Sequence, residues 1–164
     1  MRFTWFNLMP WPHLPDDFRE KNRSVWVDIP NTLYDPRKGH RVYHEYMDQL
    51  EYAETLGFDG IGVNEHHQNG YGLMPSPNLI AAGLARRTSR AAICVIGNSI
   101  ALYNPPIRVA EEFAMLGRHL GRAPRRGLPR RHADGHQLLL WPDPRADPRQ
   151  VPRGPRADHA RLGL

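Results

Sequence analysis

The chain has a single cysteine, Cys94, so no internal disulfide can form. A reducing, cytoplasmic setting is the simpler expectation. No stretch approaches the roughly 18 consecutive apolar residues of a membrane helix. Residues 1–7 lack the long apolar core and small-residue cleavage site of a secretory leader. Neither secretion nor membrane insertion is expected. No Gly-x-Gly-x-x-Gly follows the first apolar stretch, which argues against a dinucleotide-binding Rossmann unit. The His-Glu-x-x-His pattern of a helical zinc site is also missing. Lysine is absent from residues 117–164, although 11 arginines stand there.

That last imbalance governs the charge. The net charge of +5 would suggest a polyanionic partner. Residues 1–116, however, hold 11 Lys+Arg against 13 Asp+Glu, and residues 117–164 hold 11 Arg against 4 Asp. The basic character belongs to the last third alone. A chain of 164 residues is long enough for one domain with a real core. The 40% hydrophobic content and 16 prolines show that not all of it is built that way.

Residues 2–9 are aromatic and uncapped, and read as a first strand. Residues 10–39 carry five prolines together with Trp11, Trp26 and Tyr34, and read as a long irregular stretch. Such a length suits either a surface excursion packed by its own aromatics or a lid or substrate wall. Helical spacing begins at His44 and ends at Leu56, with Gly57 as its stop. Gly57 to His67 then reads as a buried strand ending in Asn64-Glu65-His66-His67. Asn69-Gly70 and Pro75-Ser76-Pro77 mark a loop. Ser76 is placed to cap a helix over 77–90, with Pro77 at its first position. Ala91–Gly97 is a continuous apolar run of the kind covered on both faces in a parallel sheet, extended by Asn98 to Leu102. A further amphipathic segment follows Pro105-Pro106 and runs to Leu116. The order βαβαβα predicts a parallel sheet, either doubly wound or part of a (β/α)8 barrel. In a barrel, Glu65, His66, Asn98 and Ser99 would face one pocket at the C-terminal strand ends.

An acid and two imidazoles at a strand end suit acid–base chemistry, because imidazole titrates near neutrality and both accepts and donates. Taken alone, such a histidine is more often a hydrogen-bonded structural residue. A metal-dependent hydrolase barrel is a third reading. Adjacent strand residues point to opposite faces, though, so Glu65-His66-His67 makes a poor chelate.

Three pieces resemble the luciferase-like monooxygenases, the flavin-dependent (β/α)8 barrels. They are Gly57-Phe58-Asp59 running into Glu65-His66-His67, then Pro75-Ser76-Pro77-Asn78 before a helix with Ala81-Ala82, and Gly97 to Leu102 followed by Asn104 to Glu112. The resemblance covers residues 1–116 and implies a partial TIM barrel of about three βα units. It implies a reduced flavin, FMN or F420, at the barrel mouth, and O2 acting on an unknown organic substrate. His66 maps to the catalytic histidine, with Glu65, Asn98 and Ser99 beside the cofactor. His67 is left as structural. A non-prolyl cis bond is implied at Asn98-Ser99. A flavin reductase is the implied source of reduced cofactor, and members of the family are often dimeric.

From Gly117 the periodicity stops. Arginines alternate with seven prolines, and Trp141 is the sole aromatic. Residues 117–164 read as a disordered basic tail. The family pattern calls for a fourth strand here. Codons chosen for residues 117–132, re-read one base later, give a turn and then an apolar strand. The tail is therefore expected to be a frameshift product, leaving a truncated and impaired enzyme. The alternative is a non-enzymatic protein whose arginines bind nucleic acid or another polyanion non-specifically. Aromatics for base stacking are lacking, so specific nucleic-acid recognition is not expected.

Overall fold

A computed structural model describes residues 1–27, 29–119 and 137–140, with residues 118, 119 and 137–140 as backbone. Strand β1 spans Thr4–Phe6, β2 Gly60–Asn64 and β3 Ala92–Ile96. Helix α1 is a single turn at Phe18–Lys21. Helices α2, Pro36–Thr55, and α3, Pro77–Arg87, fill the two crossovers, and α4 runs Ile107–His119. β1 pairs parallel with β2, and β2 with β3.

The parallel strands lie in sequence order without reversal. A doubly wound sheet reverses its order at a switch point, and no reversal occurs among the described residues. α2 packs on α3 and α3 on α4, so the helices stand side by side on one face. This arrangement is consistent with part of a (β/α)8 barrel.

Strand alternation explains the core. Ile61, Val63, Ile93 and Val95 are buried in one cluster with Leu50 and Ala53 of α2, Leu84 and Ala85 of α3, and Phe113 and Leu116 of α4. The intervening positions Gly60, Gly62, Ala92 and Cys94 are small, and form the other face. Burial pushes the Cys94 thiol above its ordinary value, with a hydrogen bond from Thr4 opposing, and so keeps it protonated.

α2 starts earlier than its apolar spacing suggests. Asp35 caps it by accepting from the backbone N–H groups of Arg37 and Lys38, and Pro36 takes the first turn, where no N–H is needed. At the other end Gly57 adopts φ +93°. Its N–H donates to Glu54 O and that of Phe58 to Ala53 O, a Schellman closure. Ser76 does precede α3, but makes no side-chain cap. Asn98 to Leu102 do not prolong β3; Gly97 turns at φ +91° and a 3-10 turn occupies Ile100–Leu102.

Within the stretch expected to be a disordered tail, residues 117–119 continue α4. Residues 137–140 form β4, antiparallel to β3. The three leucines at 138–140 supply the apolar run such a strand needs. The rest of that expectation, and the polyanion reading built on it, lies outside the described residues. No described helix is long and apolar enough to cross a membrane.

Candidate functional site

β2 ends by releasing Asn64, Glu65, His66 and His67 at the edge of the sheet. His66 Nδ1 lies 2.6 Å from Asn64 Oδ1, and His67 Nε2 lies 2.9 Å from Glu65 Oε1. The two-residue alternation of the strand thus persists past its end. Residues 64 and 66 work on one side, and 65 and 67 on the other.

Asn64 is buried, and its Nδ2 donates to the Asn7 carbonyl at the end of β1 (3.1 Å). A carbonyl only accepts, so the amide has one orientation, with Oδ1 turned to His66. An amide oxygen also only accepts. His66 must therefore carry its proton on Nδ1, and in the neutral ring Nε2 holds a lone pair. Burial lowers the His66 pKa, the neighbouring His67 lowers it further, and Glu65 opposes. The ring is held toward that neutral form. Among the described residues Nε2 has no hydrogen-bond partner.

Two aromatics frame the imidazole. Its centroid lies 5.4 Å from that of Trp26 and 5.2 Å from that of Tyr71, and these two rings stack at 4.1 Å. Gly72 lets the backbone pass close by, since a Cβ there would meet His66 Cβ at 2.9 Å. The His66 N–H donates to Met74 O (2.9 Å).

His66 itself lines a cavity of about 610 Å³. One wall is the stretch before α2, through Trp11, Ile29, Pro30, Asn31, Leu33 and Tyr34. The other is the β2–α3 loop, from His66 to Pro75, with Tyr43 of α2 between them. Backbone bonds lace the walls together: Trp11 N–H to Gly70 O (2.9 Å), Gly70 N–H to Val25 O (3.0 Å) and Leu73 N–H to Met9 O (2.9 Å). The proline-rich stretch both packs its own aromatics, with Trp11 and Tyr34 centroids 4.9 Å apart, and lines this cavity.

Glu65, Asn98 and Ser99 do not line this cavity. Glu65 meets Ser99 on the other side of the β2 end, and Asn98 is bonded to Asn78. Glu65 Oε2 accepts from the Ser99 N–H while Oε1 faces His67, so the carboxylate ties β2 to the loop after β3. Asn98 is 2% exposed. Its Nδ2 donates to Asn78 Oδ1 (2.7 Å), and Asn78 Nδ2 donates in turn to Glu112 Oε2. Arg108 pairs with the other Glu112 oxygen (3.2 Å). Asn98 Oδ1 is buried without a partner. Burial, then Glu65 and Glu112, raise the pKa of nearby Tyr103 and keep its hydroxyl protonated.

The implied cis bond at Asn98-Ser99 is not found; the cis bond among the described residues is Asn104-Pro105. The chain reverses at Gly97, whose positive φ costs a glycine little. No group of three His, Cys, Asp or Glu side chains among the described residues is placed to hold a metal ion.

The site residues not singled out from sequence are Asn64, Trp26 and Tyr71. Asn64 had a signal, standing two positions before His66 on the same face. Trp26 had only its place in the aromatic stretch read as a surface excursion or a wall, and Tyr71 had none, because their contact with His66 depends on how two loops meet.

The sequence model for luciferase-like monooxygenases matches residues 25–121, more than half of the chain. The chain is 35% identical over 81 residues to an uncharacterised protein, y4wF, of Sinorhizobium fredii, covering 48% of this chain and 23% of that one. It is 32% identical over 79 residues to limonene 1,2-monooxygenase of Rhodococcus erythropolis, covering 48% of this chain and 20% of that one. The chain thus spans about a fifth to a quarter of the length of these curated relatives.

Proposed function

Because the chain belongs to the luciferase-like monooxygenase family, we propose that it forms the first wall of a flavin-dependent monooxygenase site on a (β/α)8 barrel. The observation that carries this is His66, held in one tautomer at the end of a parallel strand and facing a cavity. Reduced FMN, or alternatively F420, would supply the electrons with which O2 attacks an organic substrate, and a flavin reductase would keep it reduced. His66 takes or returns a proton at Nε2. Proton transfer of this kind contributes about 10²–10⁴-fold to rate.

The other residues fit in part. Asn98 Oδ1, a buried acceptor without a partner, suits an N–H of the flavin ring. Ser99 and Glu65 spend their polar groups on each other, and Glu65 also on His67. Their part is to hold the two strand-end loops at a fixed spacing under the cofactor.

Three parallel strands cannot close a barrel, and closure is what removes a barrel's free edges. We propose further that residues 117–164 are the product of a one-base frameshift, and that the frame one base downstream gives a completed chain with the remaining barrel units. The test begins with the DNA in all three frames, followed by anaerobic titration of both chains with reduced FMN and reduced F420. The completed chain is expected to bind one flavin, and the 164-residue chain to bind it weakly or not at all. In the completed chain, His66→Ala is expected to cut kcat at least 100-fold and to shift flavin affinity less than twofold. Unchanged turnover would remove His66 from the chemistry. A one-base shift that opens no barrel-like frame would remove the truncation.

A further inference from the structure

The cavity beside His66 is more specific than its size. No Asp, Glu, Lys or Arg among the described residues lines it. The polar atoms in its walls are mostly spent on the protein itself. Trp11 Nε1–H donates to Leu33 O (3.0 Å), and the Tyr43 hydroxyl donates to Leu73 O. Asn69 accepts from the Tyr71 and Gly72 N–H groups and donates to His67 O. Asn31, Tyr34 and Gln68 are exposed, and their polar groups stay open to water. Away from these exposed groups, the described walls offer aromatic and aliphatic surface and the free acceptor His66 Nε2.

We propose that this cavity binds an uncharged, largely apolar molecule carrying a single hydroxyl, whose O–H donates to His66 Nε2. A charged ligand would lose its hydration and find no countercharge among the described residues of these walls. A fully apolar ligand would fit the surface and leave Nε2 unpaired. A ligand with several polar groups would meet partners already engaged. A hydroxyl at that nitrogen also sits where a base can take its proton, so the inference deepens the monooxygenase reading and rests on it for the ligand's role as substrate. The described walls are built from residues before α3. Binding therefore requires neither flavin nor a closed barrel.

The experiment uses the 164-residue chain without flavin and equilibrium dialysis at pH 7.5 against three probes of one size: 2-naphthol, naphthalene and 2-naphthoate. The expected order is naphthol about 3- to 10-fold tighter than naphthalene, one hydrogen bond's worth, with naphthoate at least 10-fold weaker than either. His66→Phe keeps a ring beside the Trp26–Tyr71 pair and is expected to erase the naphthol preference while leaving naphthalene within twofold. Leu33→Arg, in a loop wall, is expected to weaken naphthalene and admit naphthoate. Naphthoate binding as tightly as naphthalene in the unmodified chain overturns the proposal. So does a naphthol preference that survives His66→Phe, or the absence of binding by all three probes. Because no flavin enters the test, a failed flavin titration and a failed probe series point to different errors.

Discussion

At the scale of single residues, the chemistry of His66 is set by a carbonyl it never touches. Asn7 O orients the Asn64 amide, and Asn64 Oδ1 then claims the proton on Nδ1. Asn64→Leu keeps the volume and removes both bonds. Long-range ¹H–¹⁵N spectra of the histidines should show the Nδ1–H form of His66 in the unmodified chain and a mixture of tautomers in the variant. Persistence of the Nδ1–H form in Asn64→Leu would deny Asn64 its positioning role. The variant should also lose about 1–3 kcal/mol of stability, because Asn7 O is left without its donor. Reading Asn64 from sequence required only the strand's period of two. Reading what it does required Asn7, which another strand supplies.

At the scale of elements, the best-braced joint lies at the opposite end of the sheet. Glu54, near the end of α2, accepts from the backbone N–H groups of Ser89, Arg90 and Ala91 ahead of β3. Arg90 returns the tie to the carbonyls of Glu54 and Phe58. Burial alone would raise the Glu54 pKa, but the Ala91, Arg90 and Ser89 hydrogen bonds together outweigh it, and the net shift is downward. A carboxylate whose folded pKa is depressed contributes stability above its unfolded value, near 4.5, and loses it as pH falls through the folded value. Glu54→Gln is expected to lower stability by about 1–3 kcal/mol at pH 7, with the deficit shrinking as the pH drops below about 4. Urea unfolding at both pH values checks this, and an equal deficit at both would contradict it. Arg87, the last residue of α3, adds a second strap to α2, reaching Asp48 and Glu51.

At the scale of the molecule, the sheet has a free side. β1 pairs only with β2 among the described strands, and Phe3, Trp5 and Phe6 are 57%, 40% and 42% exposed. An unpaired strand edge carrying exposed aromatics is a template for another chain. The 164-residue chain is expected to self-associate with rising concentration, as measured by sedimentation. Trp5→Lys, a charge placed on that strand, is expected to shift the distribution toward monomer. A concentration-independent monomer in the unmodified chain would show that the edge is covered.

The sequence by itself determined the alternation of strands and helices, the capping glycine after α2 and the arrival of His66 at a strand end. Each of these is a local matter of period, propensity and backbone freedom, carried by residues a few positions apart. It also left two sheet topologies open. Only the tertiary structure decided that the strands run in order with the helices on one face, because that depends on which hydrophobic faces meet across the crossovers. The same holds at the site. Sequence placed Glu65, His66, Asn98 and Ser99 in one pocket, whereas packing sent His66 to the cavity and Glu65 to Ser99. Strand alternation separates neighbours in the chain, and loops distant in sequence supply the walls.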